Sequence, residues 1–139
     1  MSEVIVKSAP ADVDLLESIR SLMSKYPPLV SDRPAIQVTV HDGVATITGH
    51  TQTANTRRYF LNQLGSIDGL KGVNADALFD DTSIRLEVSR LIPPGVQANI
   101  KHGVVILAGE PPADLNIEAL ANQILQLPGV AKVVSAVGG

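Results

Sequence analysis

The sequence predicts an α+β protein made of one small unit written twice. Each copy reads helix–strand–strand–helix–strand, a three-stranded mixed sheet with two helices on one face. Three observations predict this. Residues 38–50, VTVHDGVATITGH, alternate apolar and polar residues, break at Asp42 and Gly43, and resume the alternation. Nearly the same pattern, ANIKHGVVILAGE, returns at 98–110. Amphipathic stretches of helical period lie on both sides of each copy.

The offset between the copies is sixty positions and holds without a gap from residue 36 to about 78. It superposes Gly43 on Gly103, Gly49 on Gly109 and Gly69 on Gly129, with Ile36 on Val96, Ile47 on Leu107 and Val73 on Val133. The expected domains are 11–79 and 80–139, with no flexible linker between them. A unit of about 60 residues buries only about 60% of its unfolded surface. The two copies are therefore expected to pack on each other.

Taken in order, the first helix of copy one carries the stripe Val13, Leu16, Ile19, Leu22 and Met23, with Asp12, Asp14 and Glu17 near its start, where negative charge suits the helix dipole. Pro27 and Pro28 end it. The segment SKYPPLVSDRPA, residues 24–35, reads as a loop, where copy two has only PPG. In copy two the stripe is Ile84, Val88, Leu91 and Ile92, and DDTS at 80–83 offers several N-caps.

Asp42 and Gly43 suit a two-residue type I′ turn, with His102 and Gly103 as the counterpart. That turn pairs 41 with 44, 40 with 45, 38 with 47 and 36 with 49. Ile36, Val38, Val40, Ala45, Ile47 and Gly49 then share the core face. The second helix of copy one starts from a Thr53 N-cap and buries Phe60, Leu61, Leu64 and Ile67. Its counterpart buries Ile117, Leu120, Ala121, Ile124 and Leu127, and both helices stop near a glycine, Gly69 or Gly129. The last strands are 73–79 and 131–137.

Composition narrows the function. The chain has 139 residues, 45% hydrophobic but only 3% aromatic and without Trp, so the core is aliphatic and base-stacking platforms are lacking. Net charge is −3, and both halves are acidic, so no nucleic-acid partner and no strong electrostatic docking on an anionic membrane are expected. No cysteine is present, which excludes disulfide and thiolate chemistry. The start, MSEVIVKSAP, has no apolar signal region, and no run approaches the roughly 20 apolar residues of a spanning helix, so a cytoplasmic location is expected.

The order helix, I-x-V-x-V-x-x-G-V-x-x-I-x-G, helix, G-[LV]-x-x-V resembles the BON domain. The matches are IQVTVHDGVATITG with GLKGV, and VQANIKHGVVILAG with GVAKV, over about 12–79 and 80–138. The resemblance implies a non-enzymatic bacterial protein that binds a ligand or partner or attaches to phospholipid or membrane, often in envelope or stress proteins. The family glycines fall on Gly43, Gly49, Gly69, Gly103, Gly109 and Gly129.

No HExxH, G-x-S-x-G or phosphate-cradling loop is present, so no catalytic, metal or cofactor residues are assigned. His41, His50 and His102 read as solvated turn residues, and Asp80 and Asp81 as helix caps. Arg57 and Arg58, private to copy one, are the candidates for contact with an anion or lipid headgroup.

The outer sheet faces differ most. Copy one presents Thr39, Val44, Thr46, Thr48, Asn74 and Asp76. Copy two presents Asn99, Val104, Ile106, Ala108, Val134 and Ala136 at the same positions. A contiguous apolar patch on one copy marks an interface. Val104, Ile106, Ala108, Val134 and Ala136 are therefore the candidate association surface for a protein partner or for self-association.

Overall fold

The computed structural model describes residues 11–137. The first unit runs α1 (Asp12–Ser24), α2 (Pro27–Asp32), a 3₁₀ turn (Arg33–Ala35), β1 (Ile36–His41), β2 (Val44–Thr51), α3 (Ala54–Leu64) and β3 (Gly72–Asp80). The second runs α4 (Asp81–Ser89), β4 (Val96–Lys101), β5 (Val104–Gly109), α5 (Ile117–Leu125) and β6 (Lys132–Ser135). The sheets are ordered β1-β2-β3 and β4-β5-β6, each with one antiparallel and one parallel pair. The α+β fold and the twofold repetition are as the sequence predicts.

The hairpin register follows the turn. Asp42 and Gly43 have φ of 50° and 81°, and His102 and Gly103 have 48° and 80°, the two left-handed residues of a type I′ turn. Ile36 then pairs with Gly49, Val38 with Ile47 and Val40 with Ala45. Ala45 and Ile47 are fully buried under the helices, together with Ile19, Met23, Leu29, Phe60, Leu64 and Leu78. The second core repeats this with Ile84, Val88, Val96, Ile100, Val105, Leu107, Leu120 and Ile124.

Four expectations shift. Residues 27–32 form a helix, because Pro27 and Pro28 sit at its first positions, where a fixed φ helps and a missing N–H costs nothing. Leu29 from this helix is fully buried. The buried stripe of α1 is Leu15, Ile19 and Met23, at i, i+4, i+8, while Val13 is exposed. α3 and α5 end at Leu64 and Leu125, short of Gly69 and Gly129, which occupy the following turns with φ of 93° and 88°. The last strand of the second unit is four residues long against nine in the first.

Thr53, Asp80 and Asn116 each cap a helix by accepting the N–H three residues on, from Thr56, Ser83 and Ala119 respectively. Among the described residues, no helix is long and apolar enough to cross a membrane.

Candidate functional site

The two hairpin tips are held by the same device. In the first unit, Asp12 at the start of α1 accepts the N–H groups of Asp42 and Gly43, both at 2.9 Å. In the second, Asp81 at the start of α4 accepts those of His102 and Gly103, at 2.7 and 3.0 Å. A type I′ turn aims these two N–H groups outward together, and a carboxylate with two oxygens satisfies both. Of the two adjacent acids at 80 and 81, the first caps and the second clamps.

The Gly43 and then the Asp42 N–H hold the Asp12 carboxyl below its ordinary pKa. A carboxylate depressed in the folded state stabilises it above the unfolded pKa, and that contribution is lost as pH falls through the folded value. The expected outcome is that Asp12→Ala loosens the 42–43 tip near neutral pH and differs little from the parent in strong acid. Amide exchange at Asp42 and Gly43, followed against pH, checks this.

Asp12, His41 and Asp42 bring one ligand atom each within 4.8 Å of one another. Both Asp12 oxygens are already engaged by the turn, and His41 and Asp42 lie on the surface.

The second tip is not free. It is inserted against the end of the first sheet. His102 donates from Nε2 to the Asp32 carboxylate of α2 at 2.8 Å, and Asp32 is 1% exposed. The other Asp32 oxygen accepts the Gln52 N–H at 3.1 Å. His50, at the end of β2, donates from Nε2 to the Gly129 carbonyl at 2.6 Å. Since a carboxylate and a carbonyl only accept, both Nε2 atoms carry the proton. Phe79 ends the β3 side, packs against the second core and lies beside the His50 ring.

The expectation of solvated turn residues therefore holds for His41 and fails for His50 and His102. They lock the two units together, and Gly103 gives them room: a Cβ there would lie 2.3 Å from His50 Nε2. The signal available in the sequence was the loop 24–35, private to copy one, which supplies Asp32.

Arg57 reaches back from α3 to β3, donating from Nε to the Leu78 carbonyl at 2.8 Å. It lines a cleft of about 520 Å³ between the units, together with Asp76, Phe79, Asp80, Ser83 and Glu87. A bulge in the β2·β3 register, between Thr46 and Thr48, takes Asp76 out of the regular alternation. Arg58 contacts Asn55 at 3.4 Å.

The outer face of the second sheet is laid out in rows by the pairing. Lys101, Val104 and Lys132 form one row, and Asn99, Ile106 and Val134 the next. Gln97 and Ala108 form the third, extended by Ala136, whose N–H still bonds the Leu107 carbonyl. Ile106 is 40% exposed and Val134 37%. In the first unit the row equivalent to the second is Thr39, Thr46 and Asn74. The family glycines lie in turns or at the sheet rim, away from this face: Gly43 and Gly103 at the tips, Gly49 and Gly109 at the ends of the hairpin ladders, Gly69 and Gly129 before the last strands.

The sequence model of the BON domain matches residues 11–81 and again 80–137. No curated protein matches the chain. Among solved structures, the fold is similar to the C-terminal domain of CdsD, the structural protein of the type III secretion system of Chlamydia trachomatis, at 16% identity and a TM-score of 0.65. That likeness covers 93% of this chain and 66% of that one, so the chain spans just under two thirds of its length. A further structure of CdsD is similar at 11% identity and a TM-score of 0.36, over 89% of this chain and 91% of that one.

Proposed function

Because the chain belongs to the BON domain family, matched by two copies in tandem, we propose that it is a non-catalytic association module whose working surface is the outer face of the second sheet. The observation that carries this is the asymmetry of a duplicated face. At Thr46, Thr48 and Asn74 the first unit presents side chains that hydrogen-bond water, and at Ile106, Ala108 and Val134 the second presents aliphatic ones. The fold needs neither set, since both sheets bury their opposite faces under helices. An apolar face with its polar twin in the same chain is a surface specialised for contact.

The first unit serves in this reading as a rigid support, fixed through His102, Asp32 and His50. The lipid attachment associated with the family needs cationic surface. Arg57 is directed at the β3 backbone with Asp76, Asp80 and Glu87 around it, and the chain is acidic overall. Protein association is therefore the stronger reading. The similarity of fold to a structural protein of a secretion system is in keeping with assembly.

A photoreactive p-benzoylphenylalanine placed at 106 is expected to give a protein adduct in cells producing the full chain, while the same residue at 46 gives none. Equal labelling at both positions, or an adduct to lipid alone at 106, overturns the reading.

A further inference from the structure

We infer that the partner on this face is a second copy of the chain, laid face to face and antiparallel about a two-fold axis between the Ile106 and Ala108 rows. The inference rests on the reading of the face as an association surface, and adds its occupant and orientation. Its ground is that the rows are complementary to themselves in this one arrangement.

The ladder continues one step past β5, because the Glu110 N–H donates to the Gly95 carbonyl at 2.9 Å. That keeps Glu110 in the alternation of Val104, Ile106 and Ala108, on the outer face. Along the central strand the face therefore runs from a basic row, Lys101 and Lys132 flanking Val104, through Ile106 and Ala108 to an exposed Glu110.

A two-fold axis across the strands lays β5 on β5 and reverses the order of the rows. Ile106 then meets Ala108 and Val134 meets Ala136, a large side chain over a small one at each point, which is how facing layers interdigitate. On the flank, Asn99 meets Gln97, two amides able to hydrogen-bond. At each end Glu110 of one copy comes down between Lys101 and Lys132 of the other.

The parallel alternative stacks Ile106 on Ile106 and lysine on lysine. The first unit's face cannot substitute, because Thr46, Thr48 and Asn74 stand where the contact needs Ile106, Ala108 and Val134. Closed two-fold pairing also ends at a dimer.

Three strands by four rows is small against the roughly 800 Å² per partner of a standard interface, so the dimer is expected to be weak and concentration-dependent, to be followed up to about 1 mM chain. The test is sedimentation equilibrium of the full chain at low salt with two charge variants. Glu110→Lys alone places lysine on lysine, and Lys101→Glu with Lys132→Glu places glutamate on glutamate. Each is expected to weaken its own dimer by about tenfold or more, and an equimolar mixture to form a heterodimer within about fivefold of the parent affinity. All three residues are exposed, and far-UV circular dichroism confirms that the variants fold.

A parent chain that stays monomeric throughout, or a mixture that stays monomeric, overturns the inference. Two further results separate its failure from that of the underlying reading. A dimer lost in Ile106→Lys but indifferent to the charge variants keeps the face and refutes the orientation. A monomeric parent that still gives a foreign protein adduct at position 106 keeps the face and refutes the second copy.

Discussion

Gly49→Ala is expected to destabilise the protein by about 3 kcal/mol or more, lowering the melting temperature by roughly 10 °C or more, and Gly109→Ala to do nearly the same. Gly49 stands at φ +117°, and a Cβ there would lie 1.9 Å from the Ala35 carbonyl oxygen. Gly109 stands at +102°, with the Gly95 carbonyl oxygen 2.2 Å from the same imagined atom. In both cases the obstacle is backbone, so no side-chain rotation relieves it. Each glycine stands near the end of its hairpin ladder, opposite Ile36 or Val96, and the chain entering β1 or β4 passes directly against it. The internal control is Gly72→Ala. It sits at a strand start with nothing among the described residues within 4 Å of a new Cβ, and is expected to stay within about 1 kcal/mol of the parent. Thermal unfolding of the three variants side by side checks this. A Gly49→Ala protein melting with the Gly72→Ala protein would refute the packing account.

What the sequence made legible is what the repeat and the turn chemistry dictate. Two residues of positive φ at 42–43 and 102–103 determine which residues pair, and a period of two then determines which side chains are buried. None of that depends on a partner distant in the chain. Harder to read were features whose meaning is tertiary. Pro27 and Pro28 stop one helix and start another, and only the burial of Leu29 in the first core reveals the second role. Leu15 and Leu16 are equally apolar neighbours, and the position of the sheet selects Leu15 for burial. Asp12 and Asp81 each lie near a helix start, where the dipole accounts for an acid without any contact. Their common role over the hairpin tips appears once the tips fold back beside those helices. The histidines were the least legible, because His50 and His102 acquire partners from the other unit, Gly129 and Asp32, and no periodicity connects residues 70 or 79 positions apart.

Those partners give the second large effect. His102→Ala is expected to cost about 2–3 kcal/mol and to uncouple the unfolding of the two units. The substitution leaves the Asp32 carboxylate buried, with the Gln52 N–H as its remaining hydrogen bond among the described residues. Leaving a buried carboxylate short of a donor costs more than the bond itself was worth. Each unit alone is of marginal size, so its stability draws on the junction. The chain supplies its own reporters. Tyr26 and Tyr59, its two tyrosines, stack at 4.0 Å within the first unit, so near-UV circular dichroism follows that unit while the far-UV signal follows both. In the parent the two melting curves are expected to coincide, and in His102→Ala to separate. Asp32→Asn in the same background removes the stranded charge and is expected to recover part of the stability without restoring the coincidence. If the curves of His102→Ala still coincide, His102 does not couple the units, and the His50–Gly129 hydrogen bond with the apolar contact of Phe79 on the second core holds them together without it.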